Sequence, residues 1–285
     1  MRWGSAVSVR ESAVDAVSEA AEAAAHGLGG ATPDLAFVFL SGYGAAGEAQ
    51  AAERLPALTG SERALGCTSG GVVGGGQEIE RKRAVSVTLA SLPGVGVRTF
   101  HVSADALPDE DAAPRDWADL IGVPPDAEPS FVLVSDAVGV AGPRLVEGLD
   151  FAYPASPKVG GLESGGRPPG RGRLFLGGRF EAAGAVGVAL TGDVIMATAV
   201  AQGARPFGAA GVVTRAERHF VHTIDRAPAL EFVRTQLATL DEDDQRRPLG
   251  AVCVGLEADP LDAVSPDTGD WLIRNLLGAD EDGGA

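Results

Sequence analysis

The sequence predicts an α/β or α+β protein of two lobes, with mixed β-sheets, helices on their outer faces and an internal duplication in the N-terminal part. Three observations predict it. The chain has 285 residues, near the size at which a single core stops growing and a chain divides. Apolar residues make up 45% of it and aromatics 5%, so the core rests on Val, Leu, Ala and glycine backbone. Short continuous apolar runs alternate with helical patterns, and the whole succession occurs twice.

Taken in order, residues 11–26 are Ala-rich with spaced acids and are followed by Gly27, a helix with a glycine stop. Leu35–Leu40 is a continuous apolar run and reads as a buried strand. A second helix follows at Glu48–Leu58, then a short strand ending at Ala64–Gly66, and a loop Cys67–Gly76. Ala84–Leu92 and Val97–Val102 read as strands. After an acidic stretch with a short helix near Asp116–Ile121 the pattern begins again. Phe131–Val134 is a strand, 142–150 a helix, Lys158–Leu162 the approach to a second Gly-Ser loop, and Ala185–Leu190 and Val194–Ala201 two strands. A third segment holds a helix over Ala229–Leu240, a strand over Leu249–Leu256 and an apolar segment at Trp271–Leu276.

The repeat is visible as an offset. Phe37-Val38-Phe39 lies 95 residues before Val132-Leu133-Val134, and Gly66, Ser69 and Gly70 lie 95 before Gly161, Ser164 and Gly165. Ala84-Val85 and Leu89 lie 101 before Ala185-Val186 and Leu190, which implies a six-residue insertion within Arg167–Gly178. The duplicated stretches are 35–102 and 131–201, and the pairing predicts Ser69 and Ser164 at equivalent loop positions facing one space.

Charge narrows the partners. Lys and Arg total 23 against 39 Asp and Glu, a net charge of −16. The excess lies in 103–128, with eight acids and one base, and in 229–285, with thirteen and four. A surface this acidic repels phosphate backbones, so nucleic acid is not an expected partner. Two cysteines far apart, Cys67 and Cys253, give neither a disulfide framework nor a zinc spacing. No apolar run reaches 18 residues and the N-terminus lacks a signal-like stretch. The expectation is a cytoplasmic protein with no metal, no cofactor and no membrane contact.

The stretch most suited to chemistry is Gly66–Glu80, GCTSGGVVGGGQEIE. A strand ends in small residues, glycines let backbone amides approach a ligand, and Cys67, Thr68 and Ser69 gather a thiol and two hydroxyls before Gly70 and Gly71. Such a turn can form an anion-binding nest. It lacks the Gly-Lys-Ser/Thr of a phosphate loop, and no helix follows as in a dinucleotide-binding turn. A Cys nucleophile needs a base, and none of His26, His101, His219 and His222 carries a recognisable partner motif. Ligand contact, structural filler and nucleophile remain open for Cys67. In the matching loop Glu163 adds a carboxylate able to accept an ammonium group, beside Ser164. Glu78, Gln202 and Arg205 complete the candidate ligand-binding set; Arg205 offers a planar fork for a carboxylate. His219 and His222 lie three apart in an extended segment and face opposite sides, a poor metal pair.

Leu65–Glu80, Ala84–Leu92, Gly160-Gly161, Ala201–Gly208 and Trp271–Leu277, with the opening Trp3–Ser8, resemble the FIST domains in order along nearly the whole chain. The resemblance implies a bacterial sensory protein that binds a small ligand, an amino acid or other small carboxylate, and signals through a separate protein partner. It also implies a division into a lead-in (1–34, helical), a FIST N-terminal domain (35–225) and the start of a FIST C-terminal domain (226–285). Two departures stand out. Ala204 sits where the family often has Cys, and the chain ends soon after Ile273-Arg274-Asn275-Leu276-Leu277, so a truncated C-terminal domain with exposed apolar strands is expected, and with it self-association into a homo-oligomer. The alternatives are a Cys- or Ser-dependent hydrolase or acyltransferase using the GCTSGG loop, and an interaction module without ligand. The absence of a motif supplying a base favours the sensor.

Overall fold

The structure, a computed structural model, describes residues 1–60, 63–109, 111–139, 141–165, 172–199, 204–217, 220–241, 244, 252–257, 271–276 and 278. The chain divides into two units, Met1–Thr198 and Ala199–Ala285.

The first unit opens with β1 (Arg2–Ser8), α1 (Ala13–Ala25), β2 (Leu35–Ser41), α2 (Gly44–Ala52), α3 (Leu55–Thr59), β3 (Ala64–Thr68), a hairpin of β4 (Gly71–Gly74) and β5 (Gln77–Glu80), and β6 (Ala84–Ser91). It continues with β7 (Val95–Val102), α4 (Pro114–Ile121), β8 (Ser130–Ser135), α5 (Ala141–Ala152), β9 (Lys158–Leu162), a hairpin of β10 (Leu174–Leu176) and β11 (Arg179–Glu181), and β12 (Ala185–Gly192). One sheet runs β1-β6-β2-β3-β10-β11 and the other β7-β12-β8-β9. The first four strands of the one and the four of the other share a single order, with the same two antiparallel pairings and one parallel pairing.

This order corrects several expectations. The segment 1–34, expected as helical, begins with the edge strand β1, which pairs along its length with β6. Strand β7 pairs with β12 and opens the second half rather than closing the first. Residues 194–199 of the expected strand Val194–Ala201 are coil, and 200–201 lie outside the described residues. The register also shifts. Leu40 pairs with Val85 as Ser135 pairs with Ala185, so β6 and β12 correspond at an offset of 100, not 101. A one-residue slip in a strand exchanges its faces, and the structural offset keeps them: Val85 and Leu89 face the helices, as Ala185 and Ala189 do.

The layers follow from which face is apolar. α1 buries Ala13, Ala16, Val17, Ala20 and Ala24, spaced for one helical face, and starts at Ser12, whose hydroxyl accepts from the Asp15 amide at 3.4 Å. These side chains pack with Ala36, Val38, Leu40, Val85, Val87 and Leu89 on the outer face of the first sheet. α4 starts at Pro114, its Asp116 carboxylate accepting from the Ala113 amide at 2.8 Å, and ends at Gly122 in the left-handed conformation. With α5 it covers Phe100, Phe131 and Leu133 on the outer face of the second sheet. The two inner faces meet through Leu35, Leu65, Cys67, Val134, Leu174, Val186 and Val188. The unit is thus an α–β–β–α sandwich with helices on both outer faces, which places every central strand out of water.

The second unit contains β13 (Val213–Glu217), β14 (Phe220–Ile224) and β15 (Ala227–Pro228) in one sheet, α6 (Ala229–Leu237), and a two-stranded ladder of β16 (Cys253–Glu257) and β17 (Trp271–Asn275). Val254, Leu256, Leu272 and Leu276 are exposed on and beside that ladder; positions 249–251 and Leu277 lie outside the described residues.

Candidate functional site

The two Gly-Ser loops leave the sheets at corresponding places. β2 and β3 run parallel, as do β8 and β9, and each loop follows the second strand of its pair. β3 lies so close to β2 that a Cβ on Gly66 would stand 1.7 Å from the Val38 carbonyl oxygen; one on Gly160 would stand 1.9 Å from that of Leu133. Gly66 and Gly160 are therefore the equivalent pair, at an offset of 94. The first residue beyond each strand confirms the alignment: the Ser69 amide donates to the Leu40 carbonyl at 2.7 Å and the Glu163 amide to the Ser135 carbonyl at 2.8 Å. Ser69 thus corresponds to Glu163 and Gly70 to Ser164, a one-residue correction to the expected pairing of the serines.

The loops touch. The Gly70 amide donates to the Ser164 hydroxyl at 3.2 Å, and the Gly165 amide to the Thr68 carbonyl at 3.2 Å. Arg173 closes the junction: its amide donates to the Thr68 hydroxyl at 2.8 Å, and the Thr68 amide to its carbonyl at 2.9 Å. Gly70 and Ser164 are exposed and Ser69 half-buried, while Cys67, Thr68 and Glu163 form a buried layer beneath. The Ser69 hydroxyl donates to the Gly71 carbonyl at 2.6 Å, which fixes the turn into β4.

The buried layer is electrostatically unusual. Glu163 is 4% exposed, and its Oε2 has no hydrogen-bond partner among the described residues. Burial raises its pKa; the amides of Gly165 and Ala137 oppose this, the Asp136 charge adds to it, and Arg173 lowers it again. Burial, reinforced by the Glu163 charge, pushes the Cys67 thiol up to about 12. A thiol held there is protonated at neutral pH, the opposite of what a nucleophilic cysteine needs. Asp136, buried at the end of β8, is saturated by amides: Val138 at 3.1 Å and Gly139 on Oδ1, Gly184 at 2.6 Å on Oδ2. Near Arg173, the Glu48 carboxyl is also raised by burial, against the opposing pull of that guanidinium and of the Gly44 amide.

Of the sequence-predicted residues, Cys67, Thr68, Ser69, Gly70, Gly71, Glu163 and Ser164 come together here. Glu78 does not take part in these contacts: it is exposed on β5, paired across the hairpin with Val73. Gln202 lies outside the described residues. Arg205 belongs to the second unit, where it is exposed and ion-paired with Asp244. Sequence reasoning missed Asp136, Arg173 and Glu48. The acid two residues after the apolar run Phe131–Val134 was the available signal for Asp136; Arg173, in a Gly- and Arg-rich connection, carried none. Among the described residues no group of three or more His, Cys, Asp and Glu side chains is placed to hold a metal ion, and no helix is long and apolar enough to cross a membrane. A groove of about 540 Å³ on the outer surface, lined by Arg115, Ala118, Asp119, Gly122, Val123, Pro124 and Pro125, includes none of the loop residues.

Comparison with known proteins matches residues 34–227 to the FIST N domain. An uncharacterized protein of Mycobacterium tuberculosis (strain H37Rv) is 34% identical over 296 residues, an alignment covering 100% of this chain and 72% of that protein. An uncharacterized protein of Mycobacterium bovis is 30% identical over 290 residues, again covering 100% of this chain and 72% of the relative.

Proposed function

We propose, from the premise that this chain belongs to the FIST family, that it is a sensory protein whose small ligand binds at the junction of the two Gly-Ser loops. The observation that carries the reading is the Gly70–Ser164 hydrogen bond, which joins equivalent loops of the two halves. Both loops follow the parallel strand pairs β2–β3 and β8–β9 at their carboxyl ends, the place where open α/β sheets hold ligands. A ligand that inserts there exchanges a contact between halves for contacts with itself, which is the kind of differential interaction that shifts a conformational equilibrium. The neutral Cys67 thiol supports binding rather than nucleophilic chemistry. An amino acid or other small carboxylate remains the ligand class that the family points to, with the signal passed to a separate protein.

The test is a thermal-shift screen of small metabolites on the wild-type chain, followed by Ser69→Ala and Ser164→Ala. Binding should raise the melting temperature of the wild type, and each variant should weaken it roughly 5- to 10-fold, as expected for a lost hydrogen bond of about 1 kcal/mol. Ligands whose affinity ignores both serines would place the binding site elsewhere.

A further inference from the structure

The charges beneath the loops say more about what such a ligand must carry. Glu163 is buried and its Oε2 lacks a partner among the described residues, although its chain neighbour Ser164 is exposed. Native proteins pair almost all buried polar atoms, so an orphaned carboxylate oxygen, set against Gly172 where an added Cβ would stand 1.6 Å from it, marks a place for a donor. Within electrostatic reach, Asp136 is a second carboxylate, already saturated by amides, and Glu48 stands beyond Arg173. The Arg173 guanidinium thus acts on two carboxyl groups, Glu163 and Glu48, and Asp136 adds a second negative charge beside Glu163. At the rim the Arg81 amide donates to the Gly70 carbonyl at 3.2 Å, and the exposed Glu80 pairs with Gly71.

Resting on the sensor reading above, we infer that the ligand enters with a primary ammonium group first and donates it to Glu163, so that the loop junction recognises a cationic end and not a carboxylate. Burial makes Glu163 harder to ionise in the empty site, and an ammonium ion that pairs with it favours the ionised form, so that any proton Glu163 holds at the working pH is released to solvent.

The experiment titrates n-butylammonium, butyrate and 4-aminobutyrate into the wild type and Glu163→Gln by calorimetry and thermal shift, with circular dichroism confirming the fold of the variant. The two ammonium-bearing probes should bind, with a proton release that grows as the pH is lowered, seen as a binding heat that depends on the ionisation enthalpy of the buffer. Glu163→Gln should weaken them roughly tenfold or more, as for a lost hydrogen bond to a charged group. Arg173→Met, which removes the competing cation, should tighten them, and this opposite sign guards against a Glu163 variant that only disturbs folding. The inference is overturned if butyrate binds while n-butylammonium does not, or if Glu163→Gln leaves ammonium binding unchanged. It is also overturned if other metabolites bind in a serine-dependent way and neither amine does, in which case the sensor reading stands. If no metabolite and no probe binds the wild type, both readings fall.

Discussion

Strand β3 in the first half and strand β9 in the second hold the same place in the same strand order, yet β3 is closed by β10 while β9 ends its sheet. β3 is buried throughout, with Leu174, Phe175 and Leu176 paired to Cys67, Gly66 and Leu65. β9 is exposed from Val159 to Leu162. The halves differ in the length of one connection. Two residues, Ser69 and Gly70, join β3 to its hairpin, whereas eleven, Glu163–Arg173, join β9 to its own. A two-residue link turns β4–β5 straight back over β6 and β1, as the approach of Gly74 to Ser86 and Ser5 shows. The longer link carries β10–β11 across to the other sheet. This connection, nine residues longer than its counterpart and overlapping the stretch where the sequence implied an insertion, makes two like halves into an asymmetric pair, with one sealed edge and, among the described residues, one open.

The sharpest way to break this comparison is to remove six residues, 166–171, and so shorten the longer connection from eleven residues to five. The hairpin should then fail to reach β3, exposing Leu174, Phe175 and Leu176, now at most 4% exposed. At roughly 1.5–3 kcal/mol for each large apolar side chain, the loss is on the order of 5 kcal/mol or more, comparable with the whole stability of an ordinary domain. Urea denaturation should show an unfolded or barely folded protein; a midpoint near that of the wild type would mean the length of the connection is irrelevant.

A smaller effect sharpens the same contrast. Gly66→Ala and Gly160→Ala place a methyl group almost equally close to a neighbouring carbonyl oxygen, 1.7 and 1.9 Å. β3 is held on both sides and cannot yield, while β9, with β8 as its one partner among the described residues, can move outward. We expect Gly66→Ala to cost about 3 kcal/mol or more and Gly160→Ala about 1 kcal/mol. Equal losses would show that the edge strand is not free to adjust.

The smallest effect concerns the corresponding pair Ser69 and Glu163, where only the second half carries a titratable group. Burial makes Glu163 harder to ionise in the folded than in the unfolded chain. Its neutral form therefore contributes stability fully below the ordinary value of 4.5, and that contribution is lost as the pH rises through the raised folded value. Glu163→Gln, neutral at every pH, should flatten the decline in melting temperature over that window. A variant that declines in parallel with the wild type would remove Glu163 as the cause.

Much of this was readable from the residues. The apolar runs Leu35–Leu40, Ala84–Leu92 and Phe131–Val134 are strands because nothing polar interrupts them, and both faces are indeed covered. The loops Cys67–Gly71 and Gly161–Gly165 stand out through small residues that a strand interior would not choose. β1 was harder to read, because Arg2–Ser8 is an edge strand of mixed polarity with little periodicity.

What the sequence by itself determined is the alternation of strands and helices, its recurrence, and the two loops at the ends of β3 and β9. What only the tertiary structure decided is register and proximity. The large residues of β6, Val85, Val87 and Leu89, face the helices, whereas those of β12, Val186, Val188 and Leu190, face the other sheet, so matching large residue to large residue aligns Ala84-Val85 with Ala185-Val186, one residue off. Backbone pairing to β2 and β8 chose the offset of 100, because each hydrogen bond fixes which residue stands opposite which. Proximity was decided in the same way. Asp136, Glu163 and Arg173 belong to three separate stretches of chain, and it is the pairing of β10 with β3, after an eleven-residue connection, that brings Arg173 to Thr68 and closes the junction.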